Sequence, residues 1–143
     1  MLRNALIAVA LLAAVSPAAA QPSTRPSEDR GNSRALTAAE SYLAVPTLST
    51  GVLNRFRTAG TLVVDVGLDI PNAQLRARAR SLSPRLRDAL RTALSTYAST
   101  YYRADTAPDP AAMARLMQQA VNRTLGGEGA RLLLSNVVYQ RRG

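Results

Sequence analysis

The chain contains no histidine and no cysteine, and its 18 basic residues are all arginine. Without a thiol there is no disulfide, no lipid-attachment site and no thiol nucleophile. Without an imidazole, Ser-His triads and zinc centres built on histidine or cysteine are excluded as well. Acids are scarce, nine in all, and dispersed. Asp65 and Asp69 would share one strand face, but at a rise of ~3.3 Å per residue their Cα atoms stand about 13 Å apart, too far for a retaining carboxylate pair. Their expected role is structural and solvent-facing. The Gly-rich run Gly126-Gly127-Glu128-Gly129 follows a helical pattern and precedes a strand-like one. A phosphate loop needs the reverse order, so the run reads as a helix stop. Asn122-Arg123-Thr124 matches a glycosylation sequon but falls inside the helical pattern, where the match is read as chance. No catalytic constellation emerges; the expectation is a non-enzymatic protein without cofactor or metal.

Long apolar runs are few too. The one at the start, Ala5–Val15, follows Arg3 and ends in Ser16-Pro17 and Ala18-Ala19-Ala20. This is the charged, apolar, small-residue order of a secretory signal peptide, with cleavage expected between Ala20 and Gln21. A helix over the apolar run would reach only about 16 Å, against a hydrocarbon core of roughly 30 Å. Residues 21–41 begin as a polar, Pro/Ser-rich stretch, QPSTRPSEDRGNSR, and form an expected disordered lead-in. One domain, 42–143, remains.

The formal charge is +9. In a cytosolic protein that would point to nucleic acid. Export points instead to anionic phospholipid, lipopolysaccharide or an acidic protein face, with no nucleic-acid partner. The plain alternative is a generally solvated arginine surface.

Within the domain, YLAVPTLST reads as an edge strand, because Pro46 is not tolerated in a central one. GTLVVDVGLDI alternates cleanly: Leu62, Val64, Val66, Leu68 and Ile70 on a core face, Thr61, Val63, Asp65, Gly67 and Asp69 on a partly wet one. After Pro71 the period changes to three and four. Leu75, Ala79, Leu82, Leu86, Leu90, Ala93 and Tyr97 define a helical stripe, which Pro84 should kink or restart with Ser83 as N-cap. Arg76, Arg80, Arg87 and Arg91 flank that stripe, a candidate partner- or anion-binding face, though a charge run is ordinarily a solvated face. Tyr97, Tyr101 and Tyr102 offer a contact patch as one reading, but the default expectation for them is packing at core and rim. A second helix should open on Asp109 as N-cap with Pro110 in its first turn. It buries Met113, Leu116, Met117, Ala120, Val121 and Thr124 and stops at Gly126.

The closing run RLLLSNVVYQ is apolar on both strand faces: Leu132, Leu134 and Val138 on one, Leu133, Val137 and Tyr139 on the other. That pattern predicts an interior strand beside Thr61–Ile70. The expected fold is α+β, a small antiparallel or mixed sheet packed against two helices in the order β-β-α-α-β.

YLAVPTLSTGVLN, GTLVVDVGLDI, SPRLRDALRTALST, MARLMQQAVNRTLG and RLLLSNVVYQ, in this order over roughly residues 42–140, resemble the periplasmic domain of the flagellar basal-body protein family FliL. The PRLRDAL and VVYQ stretches are the most specific parts. The resemblance implies a stomatin-like fold, self-assembly, and an accessory role at the flagellar stator or basal body rather than catalysis. It departs from the family at the front, where a FliL protein keeps a transmembrane anchor and this chain has a cleavable signal. The expectation is a periplasmic FliL-like accessory module, a homo-oligomer bound to a flagellar or other envelope complex. Its rival is a peripheral binder of anionic envelope surface acting through the arginine-flanked helix.

Overall fold

The computed structural model describes residues 39–143. The expected signal peptide, 1–20, and the lead-in up to residue 38 lie outside the described residues. Eight segments follow. They are β1 (Tyr42–Ala44), β2 (Leu48–Asn54), β3 (Arg57–Asp69), α1 (Ala73–Ser81), α2 (Ser83–Thr96), a π-helical turn (Tyr97–Tyr101), α3 (Pro110–Leu125) and β4 (Arg131–Arg141). The fold is α+β with an antiparallel sheet and three helices.

The order therefore departs from β-β-α-α-β at two prolines. Pro46 divides the opening strand: β1 pairs with β3 over Gly67–Asp69 and β2 pairs with it over Arg57–Val64, while Val45, Pro46 and Thr47 pair with neither. A proline gives no ladder N–H, so the break falls where the sequence puts it. Pro84 divides the helix, but one residue earlier than expected. Leu82, not Ser83, caps α2, at φ −94° and ψ 10°, and its carbonyl accepts from Leu86 N at 2.9 Å. The chain keeps turning through Leu82, so Ser83 and Pro84 already lie in the first helical turn.

Strand β3 is the spine of the sheet. Leu62, Val64, Leu68 and Ile70 are fully buried and Val66 nearly so. Helices α2 and α3 lie side by side over this face, α2 above β2 and α3 above β4. They contribute Leu86, Leu90, Leu94, Met113, Met117 and Val121. Each such side chain stabilises the fold by about 1.5–3 kcal/mol when fully buried. The caps of α3 are as the sequence implies. Asp109 accepts from Ala111 N and Ala112 N at 2.9 and 3.1 Å, and Gly126 takes the left-handed conformation at φ 79°.

Strand β4 pairs with β3, as expected, but it is an edge strand and none of its residues is buried. The expected faces are also rearranged. A bulge opposite Asp65 leaves Ser135 without a partner, so Leu134 pairs with Val66 and Val137 with Val64. The extra residue restores the phase. Leu132, Leu134, Val137 and Tyr139 all pack on the core, while Leu133 and Val138 face outward.

Hairpin β2–β3 turns on two residues, Arg55 and Phe56, both at positive φ, 48° and 66°. Two left-handed positions match the twist of the flanking strands and are ordinarily filled by Asn-Gly. A non-glycine residue there costs roughly 1–2 kcal/mol. Phe56 is wholly exposed at that turn, so burial does not offset the cost.

Candidate interaction surface

The four arginines beside the helical stripe do not form one face. Arg76 turns inward. Its Nη1 donates to the carbonyls of Ile70 and Pro71 at 2.7 and 3.1 Å, and its Nη2 lies 3.8 Å from Glu40. With a side chain only 10% exposed, it clamps the exit of β3 to the start of α1. Arg80, on α1, and Arg87 and Arg91, on α2, are exposed. Periodicity placed Arg76 at the border of the apolar stripe. What draws it across that border is the pair of carbonyls freed where β3 ends and Pro71 follows.

Asp65 and Asp69 sit on the outer sheet face, held by neighbours. Asp65 accepts from Thr47 Oγ1 at 2.6 Å and from Asn136 Nδ2 at 3.3 Å, while Asp69 pairs with Arg131 at 3.1 Å. Among the described residues no three acidic, histidine or cysteine side chains come together. The groove between α2 and α3, about 360 Å³, is lined by alanines, threonines, Leu116 and Arg123. It offers hydroxyls and one guanidinium, with no paired base. No helix among the described residues is long and apolar enough to cross a membrane.

Two of the three tyrosines in and just after the π-helical turn are core. Tyr97 and Tyr102 are buried and Tyr101 is exposed. Tyr97 Oη accepts from Asp109 N at 2.6 Å, and Tyr102 Oη donates to Thr106 O at 3.1 Å. The two rings stack 6.0 Å apart, and Tyr102 meets Tyr139 of β4 edge-on at 5.4 Å. Burial, reinforced by Tyr139 and Tyr97, pushes the Tyr102 phenol above its ordinary pKa.

The feature that sequence reasoning missed is the open side of β4. Arg142 N donates to Ala59 O. By antiparallel alternation Gln140 and Val138 also face β3, and Val137, Tyr139 and Arg141 direct their N–H and C=O groups away from it. No strand pairs with that side among the described residues. Only its beginning is closed. Gln118 of α3 donates to Ala130 O and accepts from Leu132 N, both at 2.7 Å, replacing a neighbouring strand for one step. Beyond Leu132 the edge has Val138 exposed on its outer face and no lysine or proline to blunt it.

No protein-family model and no curated protein matches the chain.

Proposed function

We propose that this protein is a periplasmic, non-enzymatic accessory module of FliL type, with a stomatin-like domain that self-associates and docks on an envelope protein complex such as the flagellar motor. The observation that carries the reading is the open edge from Val137 to Arg141. Unpaired strand edges accept another strand, and main-chain hydrogen bonds then supply affinity while flanking side chains supply specificity. The order of strand and helix segments, and the signal-like start of the sequence, support the family and the compartment.

The exported chain should sediment as a dimer or larger assembly and crosslink to itself in the cell envelope. Val138→Lys places a charge on the exposed side of the edge and should yield monomers that melt as the parent does. A parent protein that sediments as a monomer at every concentration and crosslinks to no envelope component would remove the proposal. The rival binding of anionic surface through the helix loses Arg76, which is committed to backbone carbonyls.

A further inference from the structure

A second group of arginines, apart from those on the helices, lies at the hairpin end of the sheet. Arg55 and Arg57 bracket Phe56 in the β2–β3 turn. Arg141 pairs with Gly60, and Arg142 follows it onto Ala59, so both emerge at the same end of the sheet. Arg103 borders a cleft with Arg55, Leu53 and Asp105. Asp105 is the one acid lining this cleft or its neighbour beside Arg141 and Arg142. Out of this basic surface project the two most exposed large apolar side chains among the described residues, Phe56 at 101% and Leu53 at 63%.

We propose that this end of the sheet docks on an anionic phospholipid bilayer, with Phe56 entering the headgroup–acyl boundary and the arginines engaging lipid phosphates. The shape favours a bilayer over a folded partner. Phe56 stands on a convex two-residue turn with a cation on either side, whereas protein hot spots are well-packed, desolvated centres ringed by further contacts. An aromatic ring at the boundary with guanidiniums at phosphate level is the arrangement of an interfacial anchor. The backbone agrees: a phenylalanine held at φ 66° without burial has no stabilising role in the fold that would retain it. A second copy of this end would be repelled by its own arginines. Docked this way the strands meet the bilayer end-on, and the β4 edge stays lateral and free. The inference does not depend on self-association.

The chain has no tryptophan, so Phe56→Trp creates a single reporter at the site. In the full chain, the indole emission should shift to the blue on adding phosphatidylglycerol vesicles and be quenched by lipids brominated near the headgroup. Pure phosphatidylcholine should produce no shift. Each basic residue near an anionic surface contributes roughly fivefold to binding. Adding Arg55→Gln and Arg57→Gln to the reporter should therefore raise the lipid concentration needed for a half-maximal shift roughly 25-fold, and raising salt should raise it further. Because the signal originates at position 56, adsorption through residues 1–38 alone would carry the protein to vesicles without moving the emission, and that result overturns the proposal. So does a shift elicited equally by phosphatidylcholine, or one elicited by an acidic protein and not by phosphatidylglycerol. Phe56→Gly, which relaxes the turn, should melt no lower than the parent yet bind vesicles more weakly; unchanged binding would also overturn it.

Discussion

The ring of Tyr42 occupies the space into which a β-carbon on Gly67 would project. Tyr42 pairs with β3 two residues away, at Asp69, on the same sheet face, so the glycine lets β1 lie against the spine with its aromatic ring folded over it. Gly60 is closed differently. There the carbonyl oxygen of Gln140, part of the β4 backbone, stands in the way, with the Tyr139 ring 2.7 Å from the same point. A ring can swing aside and a strand cannot. Gly67→Ala should therefore cost about 1 kcal/mol and Gly60→Ala nearer 3 kcal/mol, within the range for overpacking. Adding Tyr42→Ala should cancel much of the Gly67→Ala penalty, while Tyr139→Ala should leave the Gly60→Ala penalty standing. Urea melts of the two double-mutant cycles check both halves.

Arg76 separates a structural arginine from its exposed neighbours. Arg76→Met strips two carbonyls of a charged donor and should destabilise by about 1.5–3 kcal/mol. Arg80→Gln, Arg87→Gln and Arg91→Gln should each leave the melting temperature nearly unchanged, as substitutions at exposed sites do. Glu40, with its side chain 94% exposed, should be equally dispensable. Thermal melts of the five variants suffice.

The stacked tyrosines predict an alkaline limit. An unfolded tyrosine ionises near pH 10. Folded Tyr102 ionises later, because burial, Tyr139 and Tyr97 disfavour the phenolate. Its contribution to stability is thus complete below about pH 10 and is lost as pH rises from there through the folded pKa. Tyr102→Phe should soften that loss. At neutral pH it should cost about 0.5–1.5 kcal/mol for the hydrogen bond to Thr106 O. Tyr139 gives the contrast: its hydroxyl is the one buried side-chain polar atom among the described residues without a partner. Tyr139→Phe should be neutral or stabilising. Melts at pH 7 compare the two hydroxyls, and melts of the parent and the Tyr102→Phe variant at about pH 10–11 check the alkaline loss.

What could be read in advance was what repeats. The buried face of β3 and the Asp109 and Gly126 caps follow from period and capping chemistry, and the structure places them as read. On α3, Met113, Met117, Ala120 and Val121 are buried as expected, while Leu116 and Thr124 are half-buried at the groove and Leu125 is buried in addition. The bulge at Ser135 could not be read. A period of two has no mark for an inserted residue, and one insertion reassigns every side chain beyond it. Nor could the hairpin, because Arg55-Phe56 carries none of the Asn or Gly signals that such turns ordinarily show. The candidate site failed for a related reason. Helical spacing says which residues share a flank, but Arg76 answers to carbonyls released at the end of a different element.

Strands β3 and β4 join distant parts of the chain: Asp69 and Arg131 are 62 residues apart, Asp65 and Asn136 71. Hairpin β2–β3 and the helices form over shorter spans, so joining β4 closes the largest loop and should be the slow step of folding. Until it closes, β3 presents a vacant edge along Gly60–Asp69. A β4 from another molecule fits that vacancy as well as its own does, so at high concentration refolding chains should exchange terminal strands. The resulting domain-swapped dimers would carry every native contact and still separate only by unfolding.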